Sequence, residues 1–293
     1  MILLIDSGNT RLKWGLAVAS RPLASVEWFA NGVLAQDALE TLAAAWQGLP
    51  RPEQVMIANV AGPRVARSIE TALSTIDPLL GARRVWFAPG EKRAGLRNGY
   101  ADPRQLGTDR WAAAIGAWHR LGSSALVVSA GTATTIDAIG PDTTGQAGGL
   151  PGGECGGQGG GQGGGQGCDE GGYEGGDEGG DQGGVFRGGM IVPGLAMMRR
   201  ALGEGTAGLG LQSGAFAPWP RSTADAIETG CLNAQVGAIE RARLQLGSAT
   251  PVVLTGGAAA ALVAFIAPPL IVAPLLVLEG LLVAASDRSG QAA

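Results

Sequence analysis

Two stretches of the chain repeat one pattern: an apolar β-type run, a small polar turn with Gly and Thr, then a second β-type run. The first copy is LLIDSGNTRLKWGLAV near the start, and the second is LVVSAGTATTIDAIG at 126–140. Each reads as a strand–turn–strand hairpin, because neither shows the 3.6-residue spacing of a helix. A hairpin present twice, with alanine-rich helical stretches between and after the copies, constrains the chain to a two-lobed α/β arrangement. MILLID, VMIAN, RVWFA, ALVVSA, VVLTGG and LIVAP are strand candidates; ALETLAAAWQ, RVARSIETALSTI, DRWAAAIGAWHRL, AMMRRAL and ADAIETGCLNAQVGAIERARLQL are helix candidates. LGSS at 121–124 breaks the pattern, which places an N-terminal lobe at 1–121 and a C-terminal lobe at 122–293. A chain of 293 residues is long enough for both.

The second copy is followed by a tract, 145–184, in which 22 of 40 residues are Gly. Such a segment cannot bury enough apolar surface to offset its ordering entropy, so a disordered insertion at a hairpin tip is expected, where loops tolerate length. A metal tether through Cys155, Cys168 and nearby acids is the functional alternative. The tract carries seven acids and no Lys or Arg, so the rest of the chain is close to neutral. With no basic run, nucleic acid is not an expected partner. The three cysteines form neither a CxxC nor a paired framework. The N-terminus has no basic region before its apolar run and reads as a buried strand, not a signal peptide; a reducing, cytoplasmic location follows as an expectation. The uncharged stretch 244–278 is long enough to span a membrane, but Gly256-Gly257, Pro268, Pro269 and Pro274 interrupt it. It reads as buried strand, helix, strand and helix, with no membrane partner.

Chemistry concentrates at the turns. Asp6 ends a strand and is followed by Ser7, Gly8, Asn9 and Thr10, whose small side chains let backbone N–H groups approach an anion; Lys13 adds a cation. Together they offer a phosphate cradle and a carboxylate for hydrated Mg²⁺, although alone the segment could be an ordinary turn. AGTATT at 130–135 supplies a second small-polar loop, so two lobes could grip a nucleotide from opposite sides. LTGG at 254–257 is either a third, nucleotide-side loop or a simple strand-to-helix turn. No GxxxxGK[ST] and no strand-linked GxGxxG is present. In GYADPRQLGTDRWAAAIGA, Thr108 and Asp109 read as a helix N-cap with a first-turn acid, or as a general base, with Arg110 pairing bidentately to a substrate carboxylate and Tyr100 closing the pocket. Asp137 is divided between hairpin structure and metal support. His119 reads as a partly buried structural residue, and the tryptophans, Trp14, Trp111 and Trp118 among them, as core or interface anchors.

The two loops resemble those of the acetate kinase, sugar kinase, heat-shock protein and actin superfamily. More specifically, DSGNTRLK, NGYADPRQLGTDRWAAAIGA, SAGTATTIDAI, GGMIVPGLAMMRRAL followed by Thr206, and LTGG occur in the order found in type III pantothenate kinases. The resemblance spans the chain outside the glycine tract. It implies duplicated ribonuclease-H-like, actin-like ATPase domains around an interlobe cleft, usually as a homodimer, and transfer of the ATP γ-phosphoryl group to pantothenate, opening coenzyme A synthesis. By the same likeness Asp6, Ser7, Gly8, Asn9, Thr10, Arg11, Leu12 and Lys13 form the first phosphate loop, with Asp6 holding Mg²⁺ through water. Thr132 contacts ATP from the second loop, Asp109 is the general base, and Tyr100, Gly107, Thr108, Asp109, Arg110 and Thr206 line the pantothenate pocket. Ser129 departs from the pattern: many members have Asp there, a position associated with a monovalent cation, so activation by K⁺ or NH₄⁺ is expected to be weak or absent. Two alternatives stay open, a non-catalytic relative acting as a regulatory accessory factor and a related kinase for another small alcohol.

Overall fold

The computed structural model describes residues 1–18, 26–143, 183–205 and 213–287. The first copy of the repeat forms β1 (Ile2–Ser7) and β2 (Arg11–Ala17), an antiparallel hairpin. β3 (Trp28–Ala35) extends it antiparallel; β4 (Gln54–Asn59) and β5 (Arg84–Trp86) continue it parallel on the other side, in the order β3-β2-β1-β4-β5. The second copy forms β8 (Ala125–Ala130) and β9 (Ala133–Pro141), flanked by β10 (Gly184–Pro193), β11 (Val252–Thr255) and β12 (Leu270–Val272). Its sheet runs β12-β11-β8-β9-β10, then adds the short β7 (Leu96–Asn98) and β6 (Lys92–Arg93). From β10 to β12 the order and strand senses repeat those from β3 to β5, so the duplication read from the hairpins extends to five strands per sheet. β6 and β7 precede residue 121 in the chain, yet they pair in the sheet whose other strands follow it.

Side chains alternate across a strand, and this parity decides what each sheet faces. Leu3, Ile5, Leu12 and Trp14 point to the outer side of the first sheet, against Trp46 of α1 (Leu42–Trp46) and Val65 and Ile69 of α2 (Pro63–Ile76). Leu126, Val128, Ile136 and Leu254 of the second sheet pack against Leu232 and Ile239 of α5 (Thr223–Leu246). The remaining faces, with Ile2, Leu4 and Met56 from one sheet and Val127, Ile139 and Phe186 from the other, share a single cluster with α3 (Thr108–Leu121) and α7 (Leu276–Ser286). Both helices are clasped between the sheets, which is why α3 is buried without a break from Arg110 to Trp118 and α7 from Leu276 to Ala284. The alanines of α3 keep it thin enough to fit. Where the two helices cross, glycines touch backbone: a Cβ on Gly280 would stand 1.7 Å from the Ala112 carbonyl oxygen, and one on Gly116 would stand 2.7 Å from that of Leu276. Arg120 closes the rim of the crossing by forking both oxygens of Glu279 at 2.7 Å.

The apolar stretch 244–278 resolves as expected into the end of α5, β11, α6 (Ala259–Leu262), β12 and the start of α7. Among the described residues no helix is long and apolar enough to cross a membrane. The glycine tract lies outside the described residues except for Gly183 and Gly184, and these correct its boundary. Gly184 opens β10 opposite Pro141, and the Asp142 N–H donates to the Gly183 carbonyl at 2.8 Å. Gly184 belongs to the sheet, and a Cβ on it would meet the Trp118 ring at 2.5 Å. The tract is thus joined to the tip of the β9–β10 hairpin. His119, expected partly buried, is exposed, with Nε2 3.0 Å from the Ala94 carbonyl oxygen. Trp14 meets Trp46 edge-on at 6.4 Å and Trp111 meets Phe186 at 6.4 Å, as expected of core anchors, whereas Trp219 is 89% exposed and is not one.

Candidate active site

The same parity carries the inner faces out to the turns. Asp6 continues the row of Ile2 and Leu4, and Ser129 that of Val127, so both reach the rim of the space between the sheets. Asp6 lies opposite Lys13 and Ser129 opposite Thr135. In the first turn the Gly8 N–H donates to the Arg11 carbonyl at 3.1 Å, and Gln36 Nε2 holds the Gly8 carbonyl at 2.6 Å. Asn9, Thr10 and Arg11 are exposed, whereas Ser7 is fully buried and its hydroxyl has no protein partner. Leu12 is fully buried on the outer face, so its side chain points away from the cleft. Lys13 Nζ donates to the Pro274 carbonyl at 3.2 Å, bridging to the loop before α7. Burial, then the neighbouring Asp109 carboxylate, push the Asp6 carboxyl up to about 7 against the opposing pull of Lys13.

In the second turn the Gly131 N–H donates to the Ala133 carbonyl at 3.0 Å, and the Thr132 carbonyl accepts from Gly194 N–H at 3.0 Å. Gly194 leads directly into α4 (Leu195–Gly205), and only a residue without Cβ fits, since that atom would stand 2.3 Å from the Gly131 carbonyl oxygen. Gly256 brings the third loop just as close: it has φ +99°, and a Cβ there would meet the Ala130 oxygen at 2.2 Å, the atom that accepts from Ala258 N–H. The first and second loops touch across the cleft, the Thr10 and Thr132 hydroxyls being 2.6 Å apart.

The acceptor side is built at the start of α3. Its N-cap is Gly107, not Thr108, and Asp109 lies in the first turn, where Oδ1 accepts from the Arg110 N–H at 2.9 Å. Arg110 has a partner that the sequence did not reveal. Its side chain is 6% exposed and pairs with Asp137, with Nε 3.1 and 3.2 Å from the two carboxylate oxygens and Nη2 2.5 Å from Oδ1. Nη1 donates to the Tyr100 hydroxyl at 3.0 Å. Burial alone would lower the Arg110 pKa, but bonding to Asp137 and Tyr100 outweighs it and the net direction is up; burial raises Asp137 in spite of Arg110. The structure therefore sets Asp6 beside Lys13 and Asp109, joins Thr10 to Thr132 and Arg110 to Tyr100, while Thr206 lies outside the described residues. Gln36, Pro274, Gly194 and the Asp137–Arg110 pairing were not read from the sequence, because each acts through a partner far along the chain.

The sequence profile described as type III pantothenate kinase matches residues 2–154 and 181–244. The chain belongs to the type III pantothenate kinase family. Its relatives include the type III pantothenate kinase of Azoarcus sp. (strain BH72), 38% identical over 292 residues, covering 99% of this chain and 92% of that one. The enzyme of the same name from Aromatoleum aromaticum is 37% identical, covering 98% of both chains. Among solved structures, a protein described as a conserved Baf family transcriptional activator from Campylobacter jejuni superposes with a TM-score of 0.52 at 17% identity, covering 95% and 94% of the two chains. One described as a 2-dehydro-3-deoxygalactonokinase from Sinorhizobium meliloti gives 0.51 at 14%, covering 97% and 98%. At those identities the likeness is one of fold: duplicated α/β lobes of the actin-like and sugar-kinase type. The interruption of the family profile, between 154 and 181, falls within the glycine tract.

Proposed function

We propose that this chain catalyses transfer of the γ-phosphoryl group of ATP to the primary hydroxyl of pantothenate, the opening step of coenzyme A synthesis. The observation that carries the reading is the meeting of the two small-polar loops at Thr10 and Thr132 beside the Asp6 and Asp109 carboxylates. The exposed backbone of residues 8–11 and the Thr132 hydroxyl receive the nucleotide phosphates, with Lys13 balancing their charge. The donor set suits Mg²⁺: Asp6 stands near a second carboxylate with one lysine to offset them, and Mg²⁺ is ordinarily bound by one or two carboxylates together with waters and phosphate oxygens. When bound through water to Asp6, Mg²⁺ supplies neutralisation of phosphate charge. The Ser129 hydroxyl replaces the anionic ligand of a monovalent-cation site, so dependence on K⁺ or NH₄⁺ is weak. Asp109, its Oδ1 anchored at the helix start, takes the proton of the pantothenate hydroxyl as that oxygen bonds to the γ-phosphorus and the bond to ADP breaks. Tyr100, Gly107, Thr108, Arg110 and Thr206 hold pantothenate. The enzyme is read as a cytoplasmic homodimer, and the buried, unpaired Cys231 is compatible with a reducing compartment.

The direct test couples ADP release to detection of phosphorylated pantothenate, with Asp109→Asn as the matched variant. Product from the parent and a fall of ~10²-fold or more in the folded variant are expected of a general base. Equal rates would reject Asp109 as base and keep the kinase. A folded, ATP-binding parent that makes no product would favour another acceptor alcohol or the regulatory role.

A further inference from the structure

Arg110 and Asp137 face each other almost sealed from solvent, with side chains 6% and 1% exposed. Desolvating two charges is costly, and apolar residues of similar volume often hold a core as well or better, so the pair calls for a reason beyond tying α3 to β9. Three elements are shaped around it. Asp137 in β9 lies opposite Gly189 in β10, where a Cβ would stand 2.1 Å from Oδ1 of Asp137. The preceding Gly188 has φ +126°, and the β9–β10 register shifts between Phe186 and Gly188. The bulge and the missing side chain make the space into which the carboxylate turns. From α3 the guanidinium enters between rings, its carbon 5.7 Å from the centres of both Tyr100 and Phe186. A guanidinium carries five N–H donors. Nε, Nη2 and Nη1 each use one, on Asp137 or Tyr100, which leaves one on each terminal nitrogen.

We propose that Asp137 is a positioning residue that holds the Arg110 guanidinium in the plane where its two remaining N–H groups recognise the carboxylate of the substrate, and so sets the preference for an acidic alcohol over a neutral one. Gly189 is the residue that admits it. The proposal rests on the reading of Arg110 as a pantothenate contact. Asp137 itself touches no substrate; its effect passes through the orientation of Arg110, because a planar fork recognises a carboxylate only when held at the right angle.

The test compares pantothenate with pantothenol, in which the carboxylate is replaced by a hydroxymethyl group, in the parent, Asp137→Asn and Gly189→Ala. Asp137→Asn keeps the shape and removes the charge; Gly189→Ala keeps both charges and displaces the carboxylate. In Asp137→Asn, kcat/KM for pantothenate is expected to fall ~10- to 100-fold, the scale of a charged hydrogen-bonding contact, with the loss mainly in KM. Pantothenol turnover and the KM for ATP should change less than about threefold, a pattern that a general loosening of the fold would not produce. Gly189→Ala should erode the same preference with Asp137 and Arg110 both in place. Equal losses on the two alcohols, or an unchanged preference in folded Gly189→Ala, would overturn the proposal. A parent that phosphorylates both alcohols equally would remove Arg110 as the carboxylate contact and the proposal with it. A parent that phosphorylates neither would overturn the kinase reading itself, which is a separate failure.

Discussion

The two hairpins that meet at Thr10 and Thr132 share a backbone plan and differ in where they keep their charge. At the rung where the first hairpin sets Asp6 opposite Lys13, the second sets Ser129 opposite Thr135. One rung deeper on the same face the contrast reverses: the first has Gly15 opposite Leu4, and the second has Asp137 opposite Val127. Gly15 yields its space to the Trp28 ring, which a Cβ would approach at 2.5 Å, whereas Asp137 is sealed beneath Arg110. Duplication kept the strand order and let the chemistry diverge. On the proposed function, charge at the rim handles phosphate and Mg²⁺, and charge one rung down serves the acceptor.

Removing the rim charge is the severest challenge to this division. Asp6→Asn is expected to lower kcat by ~10²- to 10³-fold, as for loss of a charge-stabilising group, and at the same time to raise the melting temperature of the metal-free protein at pH 8. The sign follows from a carboxyl raised from 3.8 to about 7 in the fold: the native state binds the proton more tightly than the unfolded chain, so stability falls as pH rises between those values and the deficit persists above them. A lower melting temperature for the variant would show that the charge is compensated. On the neutral side, Thr132→Val removes one hydroxyl, and steady-state assays should give a KM for ATP raised about fivefold, the scale of a single hydrogen bond, with kcat changed less. A loss as large as that of Asp6→Asn would erase the asymmetry between the hairpins. Ser129→Asp gives the second rim the carboxylate it lacks; rates measured with and without K⁺ should show several-fold activation in the variant and less than about twofold in the parent. Replacing residues 145–182 by an Asn-Gly turn, which suits a tight hairpin, should leave turnover within about twofold, because β9 and β10 already pair at Pro141 and Gly184.

Strands with continuous apolar runs, β1, β4, β8 and β11, were legible in the sequence, because burial on both faces leaves a signal that needs no partner. β3 and β10 were not. β3 carries Asn31 and Gly32 at a sheet edge with alternating exposure, and β10 opens on the last glycine of a tract and contains two more, so composition hid its pairing. The site divides the same way. Asp6, Asp109 and Thr132 stand at turns or a helix start, where small residues and acids signal anion chemistry locally. The burial of Arg110 was not legible: its partner is 27 residues away on another element, and no spacing rule links a helix's first turn to a central strand. Gly188 and Gly189 were the available hint, unreadable in a chain with 51 glycines.

The crossing of α3 and α7 bears on how this chain can diverge. At Gly280 every replacement, alanine included, places a carbon 1.7 Å from a carbonyl oxygen that belongs to the backbone, and backbone cannot choose another rotamer. Drift at that position is closed unless the helices separate, and separation would open the cluster that both sheets share. A descendant that has lost Gly280 must also have moved α7.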